Sequence, residues 1–137
     1  MRDTEFERAP DVQAILERLL RGLELPHINA YRLLCMRSRG SRAGALARIW
    51  SLPQVWQKAL DIRAYYVIEV LAERFDALSQ EEKEKVLIHE LLHIPKSFSG
   101  ALLPHSCRWA RIDDRRVNAL WRRYRENSAQ SIAELRE

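Results

Sequence analysis

The chain has 137 residues, 47% of them hydrophobic and 31% charged. That fits one folded domain, excludes a disordered chain, and leaves no room for a catalytic domain with a long pro-segment. No run is long and apolar enough to span a membrane, and the opening MRDTEFERAP lacks the apolar core of a secretory signal, so a cytoplasmic protein with free thiols at Cys35 and Cys107 is expected. The net charge is +4. Positions 31–63 hold seven basic residues and one acidic, and positions 106–125 hold seven and two. Such surfaces attract nucleic acid or acidic partners, although a solvated arginine-rich face is the simpler account.

The first predicted element is a helix over Pro10–Arg21. Val12, Ile15, Leu16, Leu19 and Leu20 form one apolar stripe, Pro10 suits the first turn, and Gly22 suits the residue just past the end. Ile28–Arg37 and Ala43–Trp50 read as two strands of a β-hairpin around the turn Ser38–Arg42. Ser51 is placed to cap a short helix, Gln54–Leu60, with Val55, Trp56 and Leu60 facing inward. Ala64–Leu71, AYYVIEVL, is β-branched and aromatic, which predicts a strand covered on both faces.

Ser79-Gln80-Glu81-Glu82 is a capping box, in which serine and glutamate each satisfy a free backbone N–H of the other. It predicts a helix from Gln80 to about Ile94, stopped by Pro95. A loop with a turn at Gly100 leads to Pro104-His105. The last helix starts near Asp113 or Asp114, with Val117, Leu120, Trp121 and Tyr124 as its apolar face. The segment from about position 127 reads as a polar tail.

The chemistry lies in VLIHELLHIPKSFSGALLPH, residues 86–105. Positions i and i+4 of a helix sit one above the other, so His89 and His93 share a face at the separation at which two imidazoles can ligate one Zn²⁺. Glu90 is rotated about 100° from that face and can act as a base beside the metal rather than as a ligand. Leu87, Ile88, Leu91 and Leu92 make an apolar back face. Catalytic zinc usually has three protein ligands and one open position. His105 is the first candidate for the third ligand; Asp113, Asp114 and Cys107 are the alternatives. His27 has no partner at ligand spacing and reads as structural, and no tyrosine is assigned a role.

The run from Tyr65 to His105 resembles the phage-type metallopeptidases, a family of minimal zincins. The resemblance is carried by YVIEV, LSQEEKEKVLIHELLHIP, FSGAL and the later histidine, and extends to ARIWSLPQVWQKAL and RRVNALWRRY. It covers roughly Tyr31 to Tyr124. The pattern also looks like a cut-down SprT-like protease, a group that acts on proteins crosslinked to DNA. It lacks the zinc-ribbon cysteines some of those carry, and Lys96 stands where a metzincin has glycine. The resemblance implies an α+β zincin-like fold with a small three-stranded, possibly four-stranded, mostly antiparallel sheet packed with the active-site helix and flanking helices. It also implies a zinc peptidase with His89, His93 and His105 as ligands and Glu90 as the catalytic residue. The rival expectation is a non-catalytic module, braced by zinc, that binds nucleic acid or acidic partners through its arginine faces. The substrate peptide of an enzyme is expected to lie along Ala64–Leu71.

Overall fold

The computed structural model describes residues 3–108 and 111–136. The elements run β1 (Glu5–Arg8), α1 (Pro10–Gly22), β2 (Leu33–Arg39), β3 (Ala47–Ser51), α2 (Gln54–Leu60), β4 (Tyr66–Leu71), α3 (Ala72–Phe75), α4 (Gln80–Leu91) and α5 (Asp114–Arg136), with a 3₁₀ turn at Ala30–Arg32 before β2. The fold is α+β, built on one mixed four-stranded sheet in the order β1-β2-β4-β3.

The hairpin expected from β2 and β3 does not form. β4 lies between them, parallel to β2 and antiparallel to β3. Both flanking segments have the apolar pattern of a hairpin, but β4 is the most apolar strand and takes the central place, where both faces are covered. The fourth strand, β1, pairs antiparallel with β2.

Register assigns the faces, because paired residues point to the same side. Leu33 with Tyr66, Cys35 with Ile68, and Ala47 with Val70 make the inner face, and all six are buried in the core. α1, α4 and α5 pack on one another against it. On the outer face Met36, Glu69 and Arg48 form a row across three strands. Glu69, with a side chain 1% exposed, is held by Arg48 Nε at 2.8 Å and Trp50 Nε1 at 2.7 Å. Burial alone would raise the Glu69 carboxyl, but these donors hold it below the usual carboxylate range.

Three local expectations are corrected. The N-cap of α2 is Pro53, without a side-chain cap from Ser51. Val55, Trp56 and Leu60 point outward, each more than half exposed; a seven-residue helix has too little surface to dock a whole apolar stripe. The segment from 127 is not a loose tail but the second half of α5. Asn127 Nδ2 donates to Gly22 O at 2.7 Å, and a Cβ on Gly22 would lie 2.6 Å from the Tyr124 ring. The absence of a side chain there lets α5 lie close across the end of α1. Among the described residues no helix is long and apolar enough to cross a membrane.

Candidate metal centre

α4 is built from its start as the capping box requires. Ser79 Oγ accepts from Glu82 N at 3.2 Å, and Glu82 Oε1 accepts from Ser79 N at 3.2 Å. Leu87, Ile88 and Leu91 are essentially sealed in the core, each contributing about 1.5–3 kcal/mol of burial. Trp121 Nε1 donates to Glu84 at 3.0 Å and ties α4 to α5. With its back face fixed, the helix presents His89, Glu90 and His93 on the other side.

The regular helix ends at Leu91, earlier than Ile94. His93 N donates to Glu90 O and Ile94 N to Leu91 O, both at 3.1 Å. These three-residue steps tighten the last turn to 3₁₀ geometry. His93 therefore stands on a contracted turn beyond His89, and the two rings lie 5.2 Å apart, centre to centre.

His105 arrives from the loop that follows. Its ring centre is 5.0 Å from that of His89 and 4.5 Å from that of His93, and its Nε2 is 3.0 Å from His89 Nε2. One ligand nitrogen from each of the three imidazoles lies within 4.8 Å of the others. Two nitrogens on one tetrahedral zinc are about 3.3 Å apart, given bonds of about 2.0–2.1 Å. The donor set thus fits a single metal ion.

The loop packs on the core through Phe98 and Leu103 and is held in place by hydrogen bonds. Tyr66 Oη donates to Ala101 O and accepts from Gly100 N, both at 2.8 Å. Gln57 Nε2 donates to Ser99 O at 3.0 Å and Leu52 O at 2.8 Å. Gly100 has φ +98°, and a Cβ there would lie 2.7 Å from Leu52 O, so the turn needs glycine for conformation and for space. Leu103 closes the loop on the helix: its N–H donates to His93 O at 2.8 Å, and its carbonyl lies 2.6 Å from His93 Nδ1. That contact places the proton on Nδ1 and frees Nε2 for a metal. Tyr66, Gln57 and Leu103 were not singled out from sequence. A buried tyrosine, an amide and a backbone carbonyl carry no local signal of such a task.

Burial, followed by the neighbouring imidazoles, lowers the His89 pKa, and burial lowers that of His93, which favours the neutral, ligating form. Burial pushes the Glu90 carboxyl up to about 7. Glu90 makes no side-chain hydrogen bond or ion pair with a described residue. It borders a cavity of about 430 Å³ lined also by His89, Leu46, Ala47, Val86, Val117 and Asp114. Asp113 caps α5 by accepting from Arg116 N at 3.0 Å. Asp113, Asp114 and Cys107 stay outside the histidine group, which is the one metal-capable cluster among the described residues. His27 also stands apart from it, its pKa lowered by burial.

The sequence model of one family, described as "Putative phage metallopeptidase", matches residues 4–134. The chain belongs to the phage metallopeptidase family. No curated protein and no solved structure matches it significantly. For a phage metallopeptidase a metal is implied, and His89, His93 and His105 could bind one. Three imidazole donors beside a carboxyl group with no side-chain partner can serve hydrolysis, since one group set holds the ion and another is free to move a proton.

Proposed function

We propose that this phage metallopeptidase is a zinc-dependent peptidase in which His89, His93 and His105 hold one Zn²⁺ and Glu90 is the general base. The supporting observation is the convergence of three imidazoles beside a buried carboxyl group that no described residue occupies. Three nitrogen donors with one open position are the usual set for catalytic zinc. When bound, the ion supplies polarisation of the scissile carbonyl and a lowered pKa for water.

The chain's own residues supply the rest. Leu103 O fixes the tautomer and ring plane of His93. Glu90 takes the proton of the attacking water and passes it to the leaving amine nitrogen, a transfer open to a carboxyl group that borders the cavity beside His89. Ala64–Leu71 is not the strand for an extended peptide, because β4 is paired on both sides. β3 is one of the two sheet edges, and Leu46 and Ala47 line the cavity beside His89 and Glu90. A peptide or protein substrate adds as a strand to the edge of β3, with one side chain in the cavity among Leu46, Val86 and Val117.

The metal assignment is tested by elemental analysis of protein purified without chelators and reloaded. One zinc per chain is expected for wild type, and a small fraction of that for His93→Ala and His105→Ala. Wild type that takes up no zinc, or a His105→Ala variant with full occupancy, contradicts the ligand set. The non-catalytic module cleaves nothing, so no peptide cleavage by zinc-loaded wild type would favour it, whereas unchanged cleavage by a zinc-loaded Glu90→Gln variant would count against Glu90 as the base.

A further inference from the structure

The basic run at positions 31–63 divides in two by its ion pairs. Arg37 pairs with Asp11 and Asp76, Arg39 with Glu7, and Arg48 with Glu69. Arg32, Arg42, Lys58 and Arg63 form no ion pair with a described residue. Arg32, Lys58 and Arg63 line one cavity of about 430 Å³, together with Gln57, Ser97 and Ser99. Asp61 is the one acidic residue in its wall.

The cavity is built by the fold. Arg32 lies over the Phe98 ring at 5.3 Å, and that ring packs edge-on against Tyr66 at 4.9 Å. Phe98 holds φ +46°, a left-handed conformation unusual for a bulky residue. Tyr31, next to Arg32, is 93% exposed. Unpaired cations meet phosphates, and exposed rings stack on unpaired bases. An acidic peptide would need the cations alone.

We propose that the Arg32–Lys58–Arg63 cavity binds the phosphate backbone of single-stranded nucleic acid, with Tyr31 as a stacking platform. The site is separate from the histidines and does not rest on the peptidase reading.

The test is fluorescence anisotropy of a labelled single-stranded oligonucleotide with the full chain, titrated with salt. The reversal variant Arg32→Glu/Lys58→Glu/Arg63→Glu is compared with Arg18→Glu/Arg115→Glu/Arg122→Glu, which changes the net charge equally elsewhere. The cavity variant is expected to bind at least about tenfold more weakly, with a salt slope smaller by about two units for three lost phosphate contacts. The control should change less than about threefold. Tyr31→Ala should weaken binding about fivefold or more. Should the reversal variant melt early, Arg32→Gln/Lys58→Gln/Arg63→Gln replaces it. Equal losses in cavity and control variants, no binding by wild type at low salt, or equal competition by polyglutamate would each overturn the proposal.

Discussion

The two halves of the histidine cluster are held in different ways. His89 and His93 come from a helix with a complete capping box and a sealed apolar back. His105 comes from an irregular segment whose ends are tied by Tyr66, Gln57 and Leu103. The helix places its ligands through packing that many residues share. The loop places its ligand through a few directional bonds and one left-handed glycine. Damage to the helix should therefore be graded and appear in stability, whereas damage to the loop should be abrupt and appear in metal binding.

Three variants sharpen or break that contrast. Gly100→Val places a branched side chain at φ +98° against Gln57 and Leu52. We expect zinc affinity to fall about 100-fold, measured by competition with a chromogenic chelator, while far-UV circular dichroism keeps the native helical signal. Tyr66→Phe removes both loop bonds and keeps the ring, so about a tenfold loss of zinc affinity is expected by the same assay. Ser79→Ala removes the cap of α4 and should cost about 1 kcal/mol in urea denaturation, with zinc affinity within about twofold of wild type. A loss of affinity as large as that of Tyr66→Phe would erase the distinction.

The smallest effect is set by pH. The Glu69 carboxyl is held below its ordinary 4.5 in the folded chain. Its contribution is therefore present above about pH 4.5 and is lost as pH falls through the lower folded value. Melting temperature should drop on that acid limb, and the drop should be shallower in Glu69→Gln. An equally steep limb in the variant would assign acid sensitivity to other groups.

The parts of this molecule that were legible in sequence are those decided within one element. The stripe of α1, the box of α4 and the spacing of His89 and His93 are written in residues three or four apart. His105 could be named because imidazole chemistry narrowed the choice, not because the loop path could be drawn. Sheet order was illegible, since the central place of β4 is settled by competition among strands far apart in the chain. β1, four exposed residues with no apolar alternation, is a strand only because β2 offers it an edge. The outward turn of Val55, Trp56 and Leu60 and the continuation of α5 past Asn127 likewise depend on what neighbours cover. Tyr66 was visible as a strand residue, but its hydroxyl acquires its task from a loop about thirty-five residues away.

The central claim is hydrolysis by a metal-supported glutamate, and one comparison tests it most directly. Peptide cleavage is measured for wild type and Glu90→Gln, both with one zinc per chain confirmed in the same samples. The account predicts a rate lower by about 10²–10⁴ in the variant at unchanged metal content. Equal rates at equal occupancy would contradict it.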